Sequence, residues 1–312
     1  MLVRFWGVRG SIPSPLSASQ LKSKISAVVE RLRPCDLETP FSKERFLSSL
    51  PPWLFGTVGG NTPCVEVRTQ NNDVLIFDAG SGIRELGIAA SKEFPVPRAY
   101  HIFFSHFHWD HIQGLPFFAP AYDPGCKLDF YSPVTELEKI LRSQMLPPTF
   151  PVSMDVMAAK KDFHHIDHEI RFSSTGVSYR KMNHPGASYS FSVTEGAKRF
   201  VYATDTELSS DDFLKTKENA SFFDGTELLV IDSQYTLGEA IEKYNWGHSA
   251  FSMAVDFAST WGIKKLILFH HDPTYDDKKL FGIQQSARWY MEHMSIHGIE
   301  VSLATEGTEI RL

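Results

Sequence analysis

The chain has 312 residues, of which 42% are hydrophobic and 22% charged, and its formal net charge is −6. This composition is typical of a globular protein that buries a core without disulfides. No apolar run reaches the roughly 20 residues needed to cross a bilayer, and the acidic charge counts against a long nucleic acid as partner. The three cysteines lie far apart and lack zinc-ligand spacing, so we expect reduced thiols and a soluble, cytoplasmic protein.

The first half of the chain is predicted to alternate strands with helices around one insertion. We predict strands at Leu2–Gly7, Cys64–Thr69, Asp73–Asp78, Tyr100–Ser105 and Leu128–Tyr131, and helices at Ile83–Glu93 and Val134–Met145. Residues 17–52 form the helical insertion, because apolar residues recur there at helical spacing and prolines interrupt them. A lid over a pocket, a dimer contact and simple padding of the fold all stay open as its role. Residues 147–167 are predicted to be irregular.

The second half repeats this arrangement. We predict strands at Val177–Met182, Tyr189–Thr194, Phe200–Thr204, Leu228–Ile231, Leu266–Phe269 and Glu300–Ala304, and helices at Ser249–Thr260 and Lys278–His293. Each half begins with strands and continues with alternating strand and helix, a pattern typical of α/β packing. No flexible linker separates the halves, so the sequence predicts a single domain over residues 1–312, built from two similar αβ halves.

The sharpest chemical signal is a cluster of metal-ligand side chains directly after the predicted strand Tyr100–Ser105. His106 and His108 are separated by one residue and can face one metal ion, while Asp110 and His111 can face a second ion nearby. Imidazole nitrogens and carboxylate oxygens suit Zn²⁺, although Mn²⁺ and Fe²⁺ accept the same ligands. Four such residues in so short a stretch favour a metal site over a solvated histidine-rich loop.

Three further candidate ligands lie at the ends of predicted strands in the second half of the chain: His184, Asp205 and His270. Functional residues of α/β folds collect where strands give way to loops, so we expect these side chains to complete the site. His271 neighbours His270, and the sequence does not prove which of the two binds. A supporting or substrate-contacting role stays open for His271.

The order HxHxDH, followed by His, Asp and His at strand ends, resembles the metallo-β-lactamase superfamily over nearly the whole chain. That resemblance implies an α/β fold, a four-layer αβ/βα sandwich with two divalent metal ions. It assigns His106, His108 and His184 to one ion and Asp110, His111 and His270 to the other, with Asp205 bridging. It also matches Asp78 to the family's buried aspartate, whose expected job is to orient the histidine loop.

The later part of the chain resembles one branch of that superfamily, the ribonuclease Z and cyclic-phosphodiesterase branch. In that branch a Gly-His-Ser motif precedes the last metal-binding histidine by a helix and a strand, as Gly247-His248-Ser249 does here. The resemblance implies that His248, oriented by Asp232, gives a proton to the leaving group. With Asp110 of the metal loop, these two residues are the predicted catalytic residues.

Three residues are predicted to contact the substrate. Arg9 and Asn61 lie in the glycine-bounded segments Phe5–Ser11 and Gly59–Cys64, which are similar to segments of small bacterial phosphodiesterases. Tyr235 could stack on a base or another flat group, as could Trp109. For each of the three, an ordinary structural role is the open alternative.

Together these features predict a dinuclear metal-dependent hydrolase, a phosphodiesterase acting on a small (cyclic) nucleotide or a related phosphodiester. The alternative is a carboxyl-ester, thioester or lactone hydrolase on the same metal site, because a fold does not fix a function. A tRNA 3′-processing endonuclease is less favoured, since only 20 residues separate His184 from Asp205, where ribonuclease Z usually carries a tRNA-gripping arm. The full ligand set argues against an inactive ligand-binding protein. Dimers are common in the branch, so a homodimer is compatible with the sequence.

The remaining histidines are interpreted without a metal. We expect His164, His165 and His168 in a solvated loop before a strand, His293 and His297 at a surface helix end, and His101 packed within a strand.

Overall fold

The computed structural model describes residues 1–312, which build two seven-stranded sheets. The strands of the first half are β1 (Leu2–Gly7), β2 (Cys64–Arg68), β3 (Val74–Phe77), β4 (Ala99–Phe103), β5 (Lys127–Ser132) and β6 (Lys160–His165). Those of the second half are β7 (Ile170–Phe172), β8 (Thr175–Met182), β9 (Ser188–Glu195), β10 (Lys198–Ala203), β11 (Leu228–Asp232), β12 (Lys265–Phe269) and β13 (Glu300–Leu303). The last strand, β14 (Glu309–Arg311), returns to the first sheet beside β1.

Each sheet combines an antiparallel part with four parallel strands. The first sheet has the order β14-β1-β2-β3-β4-β5-β6, and β3 to β6 run parallel. The second has the order β13-β12-β11-β10-β9-β8-β7, and β10 to β13 run parallel. Because parallel strands end at the same edge of a sheet, the loops that follow them are brought together.

Ten α-helices accompany the strands: α1 (Ala18–Val29), α2 (Pro40–Ser49), α3 (Pro52–Phe55), α4 (Gly82–Ala90), α5 (Trp109–Ile112), α6 (Leu137–Gln144), α7 (Lys217–Phe223), α8 (Leu237–Glu242), α9 (Phe251–Thr260) and α10 (Asp277–His293). Apolar residues of α4 and α6 form one core cluster with the first sheet, and those of α9 and α10 form another with the second sheet. A third cluster lies between the two sheets. The predicted four-layer αβ/βα sandwich is therefore confirmed.

Strand β10 shows why the sequence folds in layers. Phe200 and Tyr202 point into the cluster between the sheets, whereas Val201 and Ala203 point into the helix-covered cluster. Side chains alternate across a strand, so a strand buried on both faces reads as an apolar run. Phe77 of β3 meets Phe200 with ring centroids 6.1 Å apart, which joins the two sheets directly.

The segment predicted as an insertion is helical. Ser17 caps α1 by accepting a hydrogen bond from the backbone of Gln20, and Thr39 caps α2 in the same way, which satisfies otherwise unpaired N–H groups. No residue of α1 is buried. Its Lys24 pairs with Asp277 at the start of α10, so the segment packs against the second half of the chain.

The expectation for residues 147–167 was wrong in part, because strand β6 occupies Lys160–His165. His164 and His165 lie in this strand instead of a solvated loop, and His164 Nε2 lies 2.8 Å from Asp129 Oδ1. Three charged residues at its start hide the strand pattern, and its pairing partner β5 is distant in sequence. Strands β7 and β14 and helices α7 and α8 were not predicted, because each is too short to show a clear period.

Candidate dinuclear metal centre

The predicted metal loop leaves the end of β4 and turns into a short helix. Ser105 and His106 follow the strand, and α5 begins directly after His108, so that Asp110 and His111 lie in its first turn. All of these side chains except that of His108 are buried. The local sequence therefore presents four ligand groups within one compact turn.

The first group of side chains that could hold a metal ion consists of His106, His108, His184 and Asp205, whose nearest nitrogen and oxygen atoms lie within 4.8 Å of one another. Asp205 Oδ1 lies 3.6 Å from His106 Nε2 and 3.7 Å from His184 Nε2. His184 Nε2 also lies 3.2 Å from His108 Nδ1. Loops after β4, β8 and β10 thus meet at one point.

The second group consists of Asp110, His111 and His270, again within 4.8 Å of one another. The other oxygen of Asp205, Oδ2, lies 3.1 Å from His111 Nε2 and 3.2 Å from His270 Nε2. Each carboxylate oxygen of Asp205 therefore faces a different group of histidines. This is the arrangement expected of a bridging ligand, and all seven predicted ligands are brought together.

Asp78 is a buried carboxylate that hydrogen-bonds to residues of this centre. It is fully buried at the end of β3 and accepts hydrogen bonds from the backbone and hydroxyl of Ser105, from His111 Nδ1 and from the hydroxyl of Tyr202, at 2.7 to 2.8 Å. Because Nδ1 of His111 donates to Asp78, its Nε2 is left to face the metal site. Asp78 therefore has the contacts that orient the loop.

Three residues of the centre adopt a left-handed backbone conformation. The φ angles are +62° at Asp78, +47° at Asp205 and +61° at His270. Such angles are uncommon outside glycine and are held in place only where the surroundings determine them. Asp78 and His270 directly follow β3 and β12, and Asp205 is the second residue after β10.

The donor set fits metal ions. The Nε2 atoms of His106 and His111 are buried and form no hydrogen bond, which is unfavourable unless another partner binds them. Burial and the neighbouring His111 lower the pKa of His106 well below its ordinary value, which keeps the ring neutral, as metal binding requires. Burial alone would raise the pKa of Asp205, but His270 and His111 hold it well below its usual range.

His248 lies beside the two ligand groups. Its Nδ1 is 2.6 Å from Oδ2 of the fully buried Asp232, and its ring stacks on His270 with centroids 5.0 Å apart. Burial of the ring opposes protonation, but the Asp232 carboxylate raises the pKa of His248 to about 9. The Asp232 carboxylate thus favours the protonated ring, the form that can donate a proton.

A pocket of about 460 Å³ opens onto the centre. It is lined by Ser11, Phe107, His108, Trp109, Asp110, Asp205, His248 and His270. Ligands of both groups and the protonated histidine thus share one opening, and the 83% exposed Trp109 stands at its rim. The helices of the insertion contribute no residue to its lining.

The neighbouring His271 makes different contacts from His270. Its Nε2 lies 2.9 Å from the carbonyl oxygen of Ala304, and its backbone N–H donates to Val8. Burial lowers the pKa of His271 to about 3, so the ring is neutral and donates to that carbonyl. Only His270 lies in the groups of candidate ligands, as the resemblance implied.

The residues predicted to contact substrate lie outside the pocket lining. The buried Arg9 guanidinium donates to the carbonyl oxygens of Gly59, Asp272 and Tyr275 at 2.9, 3.3 and 2.8 Å. The amide of Asn61 is bonded to Glu306 and Ser81. Tyr235 is buried and packs edge-on against His248, with centroids 5.6 Å apart. These contacts show a structural role for each of the three residues, and substrate contact stays a prediction.

Sequence reasoning missed several residues that hold the centre together. Ser11 donates its backbone N–H to Asp110 Oδ2 at 2.7 Å, and Ser105 and Tyr202 bind Asp78. One signal was present: a Cβ atom on Gly10 would lie 2.5 Å from the His270 ring, so the glycine marks a close approach of backbone to the site. Nothing local marks Tyr202, which meets Asp78 from the opposite sheet.

No helix of the structure has the length and apolar character needed to traverse a bilayer.

Comparison with known proteins agrees with this geometry. A family model described as "Beta-lactamase superfamily domain" matches residues 74–271, a range that contains all seven predicted ligands. Ribonuclease Z of Picrophilus torridus is 27% identical over 270 residues, covering 71% of this chain and 84% of that protein. Ribonuclease Z of Enterococcus faecalis is 25% identical over 292 residues, covering 78% and 92%. The metallo-β-lactamase fold protein YhfI of Bacillus subtilis superposes with a TM-score of 0.65 at 16% identity, over 99% of this chain and 98% of that one.

Proposed function

The chain belongs to the metallo-β-lactamase superfamily, in its ribonuclease Z-like branch, and is a metal-dependent hydrolase; from that premise we propose that it hydrolyses phosphodiesters at a dinuclear metal site. The observation that carries the proposal is the position of the two oxygens of Asp205, one facing each group of ligands. Adjacent metal ions are suited to phosphoryl transfer, in which charge develops on several oxygens at once.

His106, His108 and His184 would hold one ion and Asp110, His111 and His270 the other, with Asp205 shared between them. When bound, such a pair of divalent ions activates water and neutralises the charge that develops on phosphoryl oxygens. The imidazole and carboxylate ligands suit Zn²⁺, with Mn²⁺ or Fe²⁺ as alternatives.

The leaving group of a phosphodiester departs as an alkoxide and needs a proton. His248 lines the pocket, and the Asp232 carboxylate raises its pKa to about 9, which favours the protonated ring. We therefore assign the protonation of the leaving oxygen to His248, and its orientation to Asp232. A thioester releases a thiolate, which has a weaker need for this proton, so the pair supports phosphodiesters over thioesters.

A small phosphodiester, such as a cyclic nucleotide, is the substrate class that we favour. Between His184 and Asp205 the chain forms a hairpin of β9 and β10. Its strands pair closely up to the turn, where Glu195 pairs with Lys198. The hairpin carries no projecting arm of the kind that grips tRNA, and the net charge of −6 does not favour a long polyanion.

RNA 3′ processing is the second candidate, and the ribonuclease Z relatives favour it. They match the chain over most of their own length, at 84% for the Picrophilus torridus protein. The two candidates share the same bond chemistry and differ only in the size of the substrate.

One comparison of substrates tests both candidates. Purified protein, with its metal content measured on the same sample, is offered bis-p-nitrophenyl phosphate, 2′,3′- and 3′,5′-cyclic nucleotides, a precursor tRNA, and p-nitrophenyl acetate with a thioester and a lactone. Turnover of small diesters with about two metals per chain, lost in Asp205→Ala, supports the proposal. Cleavage confined to precursor tRNA would move the assignment to RNA processing, and turnover of esters, thioesters or lactones alone would refute phosphodiester hydrolysis.

A further inference from the structure

Three loops that carry residues of the centre meet at Glu207. Its backbone N–H donates to the carbonyl oxygen of Asn183 at 2.9 Å, and its own carbonyl oxygen accepts from Asn183 Nδ2 at 3.3 Å. Its carboxylate accepts the backbone N–H groups of Asn245 at 3.1 Å and Gly247 at 3.0 Å. Glu207 therefore joins the loops that carry His184, Asp205 and His248.

The carboxylate of Glu207 stabilises an unusual loop conformation. Asn245 and Gly247 have φ angles of +68° and +88°, in the left-handed region that most residues avoid. Backbone N–H groups that converge in such a turn form a concave site for an anion. Here the anion is the side chain of Glu207, whose two oxygens each receive one of these N–H groups.

This loop in turn fixes the ring of the ligand His184. The carbonyl oxygen of Gly247 accepts a hydrogen bond from His184 Nδ1 at 2.9 Å, which leaves Nε2 to face Asp205 and His108. A Cβ on residue 247 would lie 2.3 Å from His184 Nδ1, so only glycine allows this approach. A shift of the loop would therefore move both the carbonyl and the ring that it orients.

From these contacts we infer that Glu207 is a positioning residue of the centre. Its carboxylate holds the 245–247 turn, the turn places the Gly247 carbonyl, and that carbonyl sets the tautomer and direction of His184. Hydrogen-bond partners of metal-binding histidines commonly tune metal affinity, and here the partner is itself held by a carboxylate one step farther from the metal. His248 follows the same turn, so Glu207 also maintains its position against Asp232.

A metal titration tests the inference without reference to any substrate. Zn²⁺ binding is measured by competition with a chromophoric chelator for the wild type, Glu207→Ala, Glu207→Gln and the control Glu242→Ala. Glu242 is exposed on α8 in the same stretch of chain. In Glu207→Ala we expect one of the two ions to bind about 10–100-fold more weakly, with a smaller loss in Glu207→Gln, which keeps one acceptor oxygen. The control is expected to bind like the wild type.

Two outcomes would overturn the inference. One is unchanged affinity for both ions in Glu207→Ala. The other is an equal loss at both ions in both Glu207 variants, accompanied by reduced stability of the metal-free protein, which would make Glu207 a general fold residue. The near-isosteric Glu207→Gln keeps the test informative if the alanine variant does not fold.

A second readout concerns turnover and rests on the proposed function. With saturating metal, Glu207→Ala is expected to lower kcat about tenfold with KM nearly unchanged, because His248 is displaced while the other residues of the pocket lining keep their positions. If the wild type hydrolyses no phosphodiester, the proposed function fails, and the metal titration still decides the role of Glu207.

Discussion

Asp78 offers the most direct test of how the fold prepares the metal centre. Its Oδ2 accepts from Ser105 Oγ, His111 Nδ1 and Tyr202 Oη, and its Oδ1 accepts from the backbone of Ser105. Asp78→Asn keeps the shape but turns one of the two acceptors into a donor. If the new amide nitrogen faces the backbone N–H of Ser105, that N–H loses its acceptor. The other three donors, which are the hydroxyl groups of Ser105 and Tyr202 and Nδ1 of His111, then bond a neutral amide oxygen instead of a carboxylate oxygen.

The expected effect on stability follows from these contacts. A buried donor without an acceptor costs about 1–3 kcal/mol, and each exchange of a charged acceptor for a neutral one costs about 1 kcal/mol. Removing a fully buried charge offsets part of this loss, so we expect Asp78→Asn to lower the free energy of unfolding by about 3 kcal/mol. Because the carboxylate that orients His111 becomes a neutral amide oxygen, zinc affinity should fall about 10–100-fold.

The assay combines urea unfolding of the metal-free protein with zinc competition on the folded protein. Tyr202→Phe is the matched control, because it removes one donor to Asp78 and leaves the bond to His111 in place. It should lower stability by about 1 kcal/mol and leave zinc affinity nearly unchanged. Equal zinc affinities in wild type and Asp78→Asn, or equal losses in both variants, would refute the role assigned to Asp78.

Two further predictions concern His248 and the pH dependence of stability. His248→Ala should lower kcat about 10²–10⁴-fold while two metals stay bound; loss of metal would instead make His248 a structural residue or a ligand. Burial alone would raise the pKa of Glu239, but hydrogen bonds from Thr236 and Tyr275 lower it from 4.5 to about 2. Its stabilisation is therefore complete above pH 4.5 and lost as the pH falls towards 2. In urea unfolding, Glu239→Gln should be less stable than wild type at pH 7, with a difference that shrinks below pH 4.5; a pH-independent difference would contradict this.

The grouping of the candidate ligands could be predicted because its signals are local. His106, His108, Asp110 and His111 stand in one turn after an apolar strand, and the more distant ligands each follow a strand with a clear pattern. Strand β6 was missed because charged residues hide its period, and its formation depends on pairing with β5. A short-range pattern contains no information about such a partner.

The contacts that hold the ligands in place could not be predicted in this way. Glu207 binds a turn 40 residues later, and Tyr202 reaches Asp78 across 124 residues. Arg9 shows the converse: a basic residue in a glycine-bounded loop suggested an anion contact, yet its donors bind backbone carbonyl groups. The residue type indicates which bonds a side chain can form. Which partner it bonds is determined by the packing of segments that are distant in sequence.

The left-handed backbone at Asp78, Asp205 and His270 limits which amino acids these positions can exchange. At φ angles of +62°, +47° and +61°, β-branched residues are strongly disfavoured, whereas Asn, Asp and His are enriched among non-glycine residues. Aspartate and histidine thus satisfy two independent requirements, a tolerated backbone shape and an oxygen or nitrogen that binds a metal or its ligand. Substitutions that abolish metal binding are therefore easiest to accommodate as asparagine or glycine, and a decayed descendant of this centre would keep its turns after losing its ions.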